Sequence, residues 1–92
     1  MYFDLLDWDD DDDADGNVVH IEAAGLTPEE VADVIAAHPG GPDDYSETSG
    51  FPMIFGTTPT GKRIVVIYED ESDAGFVVLR PVTAYPVPEY GG

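Results

Sequence analysis

Gly25-Leu26-Thr27-Pro28-Glu29-Glu30-Val31-Ala32-Asp33-Val34-Ile35 is the stretch from which the fold can be read. Thr27 is an N-cap, Pro28 sits at the first helical position, and Glu30 completes a capping box three residues after the cap. Leu26 before the cap and Val31 after it form a hydrophobic staple. Val31, Val34 and Ile35 then repeat at helical spacing, and Pro39-Gly40-Gly41-Pro42 ends the helix. Upstream, Asn17 reads as the N-cap of a shorter helix carrying Val18, Ile21 and Ala24, with Gly25 at its left-handed C-terminal position. Tyr2 to Trp8 fits a short strand or a helical turn equally, with Trp8 as a core anchor.

Downstream the period changes. Residues 40–50 read as a polar loop, and three strand signals follow, Phe51 to Thr57, Lys62 to Glu69 and Gly75 to Thr83. Thr57-Thr58-Pro59-Thr60-Gly61 and Glu69-Asp70-Glu71-Ser72-Asp73 supply the turns, and connections this short imply antiparallel hairpins. The expected architecture is α+β, two N-terminal helices packed on a three-stranded antiparallel sheet. Ile64-Val65-Val66-Ile67 and Phe76-Val77-Val78-Leu79 are apolar at every position. One sheet face therefore takes the helices, and dimerisation or a returning C-terminal segment covers the other. Pro86 and Pro88 make the last residues extended and unsuited to a central strand.

Ninety-two residues support one domain, 1–92. An apolar share of 42% is too high for a disordered chain. No apolar run approaches a membrane span and no signal peptide opens the chain, so the cytoplasm is the expected location. With no cysteine, disulfides and thiolate metal sites are excluded.

Charge is the unusual quantity. Twenty acidic residues face Lys62, Arg63 and Arg80, a net charge of -17. Phosphate-bearing partners are held mainly by Lys and Arg, so direct nucleic-acid binding is not expected. Three readings compete: salt adaptation or high solubility, an acidic surface for a basic partner (a nucleic-acid mimic included), and a cation-binding loop. Eight of the acids lie in the first sixteen residues, in an acidic segment over 4–16. Within it, Asp11, Asp13, Asp15 and Gly16, followed by Glu22, match the spacing of an EF-hand calcium loop. In a stretch where seven of nine residues are Asp, however, that match arises almost automatically. The expectation is no cofactor and at most weak Ca²⁺ binding.

The remaining candidates for chemistry are few. His20 lies beside Ile21 on the first helix and His38 ends the second, where a cation suits the helix dipole. Arg63 and Arg80 would face one another across the sheet beside Tyr68 or Tyr85. With His20 as acid or base, such a cluster would suit a phosphoryl transition state. The competing reading pairs each Arg with one of the many carboxylates.

These residues also carry a family likeness. Asn17-Val-Val-His20-Ile21, Gly25-Leu-Thr-Pro-Glu-Glu-Val31, Phe55-Gly56-Thr57 with Gly61-Lys62-Arg63, Val66-Ile67-Tyr68-Glu69 and Pro81-Val-Thr-Ala-Tyr85 resemble, in order over residues 8–88, the BrnT-type toxins of type II toxin–antitoxin systems. The resemblance implies a RelE-like ribonuclease fold of helices on an antiparallel sheet, an antitoxin partner, and a toxin–antitoxin or mobile-element setting. Where the family carries a basic Lys-His-Gly, this chain has Ala23-Ala24-Gly25, and where the family has Ala-Arg it has Ala84-Tyr85. With the acidic charge, these departures imply ribonuclease activity weakened or lost. The alternative class is a non-enzymatic acidic protein that occupies a basic partner.

Overall fold

The computed structural model describes residues 1–87. Its elements run β1 (Leu5–Leu6), α1 (Asn17–Ala23), α2 (Pro28–Ala37), β2 (Asp44–Tyr45), β3 (Pro52–Thr57), β4 (Arg63–Asp70) and β5 (Val78–Pro86). The sheet order is β1-β5-β4-β3-β2. The α+β class and the two helices agree with the sequence pattern; the three-stranded antiparallel sheet does not. The sheet has five strands and is mixed, because β1 lies parallel to β5 and precedes both helices. The additional strands have two residues each and show no alternation; pairing to distant residues defines them. Asp4 and Asp7 backbone N–H groups donate to the Val77 and Leu79 carbonyls, and Asp4 Oδ2 accepts from Val77 N at 2.7 Å. Likewise β2 interrupts the expected 40–50 loop by pairing with Met53 and Pro52.

The capping box on α2 is present as the sequence requires. Thr27 Oγ1 accepts from Glu30 N at 3.2 Å, and Glu30 Oε1 accepts from Thr27 N at 3.1 Å. For α1 the expectation needs correcting: the N-cap is Gly16, and Asn17 is the buried first helical residue. A Cβ on Gly16 would lie 2.8 Å from that of Asp9, so the acidic segment can close onto α1 only over a glycine. Gly25, with φ of 85°, does take the left-handed position after α1.

β3, β4 and β5 form the predicted antiparallel meander, with β5 displaced three residues toward the C-terminus. Gly75 belongs to the preceding turn instead, with φ of 83°. Pro86, expected to be unsuited to a central strand, is the last residue of β5, opposite Ile64 and beyond the stretch that β1 flanks. The Pro81 carbonyl points away from β4, accepting from Asn17 Nδ2 at 2.7 Å, so its missing N–H leaves the ladder with β4 intact. A bulge beside Tyr68 pairs Ile67 with Thr83 and Tyr68 with Pro81, leaving Val82 as the extra residue.

The core lies between the helices and one sheet face. Ile21, Leu26, Val31, Val34 and Ile35 meet Ile54, Ile64, Val66, Tyr68, Leu79 and Ala84; Trp8, expected as a core anchor, is partly buried and packs against this cluster from its margin. The even-numbered positions of β3 and β4 thus face the helices, and the odd-numbered ones face away. No helix among the described residues is long and apolar enough to cross a membrane. The expectation for Pro88 falls outside the described residues.

Candidate functional site

α1 packs against β5 where β1 has ended, and between them opens a depression of about 330 Å³. Asp15, Asn17 and His20 line it from the helix side, and Arg80, Val82 and Thr83 from β5. Two of the four catalytic candidates, His20 and Arg80, therefore share one site. The bulge at Val82 helps shape the β5 wall, and β5 lies open to α1 there because β1 pairs only with Val78 and Leu79.

Arg80 enters this site already engaged. Its Nη1 and Nη2 donate to Asp9 Oδ1 and Oδ2 at 3.0 and 2.7 Å, a bidentate pair, and Asp7 Oδ2 lies 3.6 Å away. Asp9 Oδ2 also accepts from Asn17 N at 2.9 Å. The Arg80 guanidinium, then the Asn17 N–H, hold the Asp9 carboxyl below its ordinary value, and Asp9 in turn raises Arg80. Asn17 closes the network. Its Oδ1 accepts from Asp9 N at 2.9 Å, and its Nδ2 donates to the Asp7 and Pro81 carbonyls. One buried side chain thus joins the acidic segment, the start of α1 and β5. The sequence marked Asn17 only as a cap, because its other partners lie up to 64 residues away.

The other two candidates lie elsewhere. Arg63 and Arg80 do not face one another: Arg63 is opposite Thr57, and Arg80 is opposite Glu69. Arg63 and Glu69 are six positions apart on β4, about 20 Å at strand rise. Tyr85 is opposite Val65, on the same sheet face as Arg63. Lys62 is drawn off to the helical side, where Nζ lies 3.2 Å from Glu30 Oε2 and donates to the Gly25 carbonyl. The expectation that a carboxylate neutralises the arginine holds for Arg80. Among the described residues, Arg63 has no ion pair.

The calcium pattern of Asp11, Asp13, Asp15 and Glu22 is not gathered around a centre. Asp13 Oδ1 accepts from Asp15 N at 3.0 Å, and its carbonyl accepts from Gly16 N. Gly16 is extended, with φ of -80°, and Glu22 stands exposed on α1. Among the described residues no group of three or more His, Asp or Glu side chains converges as metal ligands would. His38 is buried, its Nε2 2.8 Å from Asp43 Oδ2, which also accepts from Phe55 N at 2.8 Å. His38 is the C-cap of α2, its backbone N–H donating to the Ile35 carbonyl, while its side chain ties the helix end to the segment leading into β2 and, through Asp43, to β3. The Asp43 carboxyl is held below its ordinary value by the Phe55 N–H and then by His38.

The chain shows no significant match to any family model, to any curated protein or to any solved structure.

Proposed function

We propose that this chain is a BrnT-like domain in which ribonuclease chemistry is weakened or lost, and that it acts as an acidic module binding a basic protein partner. The observation that carries the reading is the state of Arg80. A guanidinium that gripped RNA phosphate would have to leave a bidentate carboxylate that lies on its own chain and is itself fixed by the Asn17 N–H. Lys62 is held by Glu30, and Arg63 lies about 20 Å along the sheet. The three cations therefore cannot converge on one phosphate. Proteins that make six to ten phosphate contacts still lose about 10³–10⁵ in affinity between roughly 50 and 200 mM salt. Three dispersed contacts among twenty carboxylates leave no electrostatic basis for RNA affinity. The same imbalance favours a partner rich in Lys and Arg, as an antitoxin or another nucleic-acid-binding protein would be.

A residual ribonuclease is the second reading, favoured by the shared depression of His20 and Arg80. Inducible expression of the wild type beside His20→Ala and Arg80→Ala separates the two. The acidic-module reading expects no growth arrest from any of the three. Arrest by the wild type that either substitution relieves would establish an active toxin.

A further inference from the structure

The sheet face opposite the helices is assembled from the odd-numbered residues of three strands. Met53, Phe55 and Thr57 come from β3, Arg63, Val65 and Ile67 from β4, and Thr83 and Tyr85 from β5. Phe55 and Tyr85 flank Val65 in one row, and they are 42% and 44% exposed while Val65 is 1% exposed. The next row, Met53, Ile67 and Thr83, is half-buried. Thr83 belongs to this row and also lines the His20–Arg80 depression, so the apolar strip and the depression form one continuous surface.

The charge on this surface is polarised. Arg63 stands at one end of the strip. At the other, Arg80 is surrounded by Asp7, Asp9, Glu69 and Glu71, four carboxylates to one guanidinium. Glu71 is raised from its ordinary value by a hydrogen bond with Asp7, then by desolvation, and further by the Asp7 and Glu69 charges. Asp44 adds a carboxylate beside Met53 on the β2 edge.

We propose that this helix-free face is the docking surface for an extended segment of the partner that is apolar in its centre and basic at the end lying over Asp7, Asp9, Glu69 and Glu71. The proposal rests on the acidic-module reading and names the place and chemistry of the contact. Charge complementarity selects the occupant. A second copy would set two chains of net charge -17 face to face, whereas a basic segment meets the carboxylate end and lays its apolar side chains over the exposed rings of Phe55 and Tyr85. Exposed aromatic rings also suit Lys and Arg stems and their cationic ends.

The test is a titration of the ¹⁵N-labelled full chain, at physiological salt, with two ten-residue peptides: one alternating Leu and Thr over six residues and ending in four Lys, the other all Lys. The alternating peptide is expected to shift the amides of Phe55, Val65, Ile67, Thr83 and Tyr85. The double variant Phe55→Thr/Tyr85→Thr should weaken it by about tenfold or more, as truncation of aromatic anchors does. The all-Lys peptide should show weaker, diffuse shifts that the double variant leaves unchanged. Unchanged Ile54, Ile64 and Val66 amides report that the variant is folded; Tyr85→Thr alone serves if it is not. Equal affinity of the alternating peptide for wild type and variant would overturn the docking face while leaving the acidic module standing. No binding of either peptide would remove both. Concentration-dependent shifts of the same five amides without peptide would assign the face to a second copy and overturn the proposal.

Discussion

The two faces of this sheet are built from the same three strands and differ in what covers them. On one, Ile54, Ile64 and Val66 are fully sealed beneath helices whose staple and capping box fix where α2 begins. On the other, Phe55 and Tyr85 stand nearly half exposed and close only Val65 between them. Apolar content therefore does not distinguish the faces; the helices do. The covered face holds the core cluster, whose burial removes apolar area from water and drives folding. The open face keeps aromatic surface that folding does not use, and it is the face that continues into the His20–Arg80 depression.

That contrast is open to attack from the covered side first. Ile35→Ala removes a fully buried side chain and should cost about 2–4 kcal/mol, a fall of roughly 8–30 °C in the thermal midpoint for a domain of this size. An unchanged midpoint would mean that α2 does not anchor on the sheet. A smaller effect is expected at Gly56, where a Cβ would lie 2.6 Å from Val34 Cγ1. Val34 is β-branched and stiff, so Gly56→Ala should push α2 away from β3 at a cost of about 1–3 kcal/mol. Calorimetric unfolding reads both.

The acidic segment should shape the pH dependence. The Asp9 carboxyl is depressed in the folded chain, so its stabilisation is present above the unfolded carboxyl value of about 3.9 and is lost as pH falls through the lower folded value. Protonation of the many other carboxylates relieves self-repulsion over the approach to the pI near 4.1. Stability measured by denaturant titration should therefore rise as pH falls from 7 toward about 5, then drop below about 4. Asp9→Asn should flatten the drop, and an identical acid limb in that variant would sever Asp9 from Arg80 as a source of stability. The smallest effect belongs to the open face: Phe55→Thr should change stability by less than about 1 kcal/mol, because a partly exposed ring on a strand is replaced by a β-branched residue. A loss as large as that of Ile35→Ala would show that the open face belongs to the core.

What was legible in the sequence follows from the range of the signal. The start of α2 is encoded by residues three apart, and β3 and β4 by runs of six and eight, so local chemistry suffices. β1 and β2 have two residues each and exist through pairing with β5 and β3, which no local pattern announces. The site divides in the same way. His20 was visible as a histidine beside the helix's apolar face, and its meeting with Arg80 was anticipated. The placement of Arg63 was not, because the displacement of β5 and the bulge at Val82 set the cross-strand register. Asp9 could not be selected as the partner of Arg80 from among twenty carboxylates, since the two lie 71 residues apart. The one available hint was Asn17, a polar residue at the head of an apolar helix, just after the acidic run.

The central claim is that Arg80 serves as an internal strut and not as a grip on phosphate. It is tested most directly by measuring the thermal midpoint and the affinity for a single-stranded RNA oligomer of Arg80→Gln beside wild type, at pH 7 and physiological salt. The expected result is a clear fall in the midpoint, with no RNA binding by either protein. An unchanged midpoint together with RNA binding by the wild type that Arg80→Gln abolishes would contradict it.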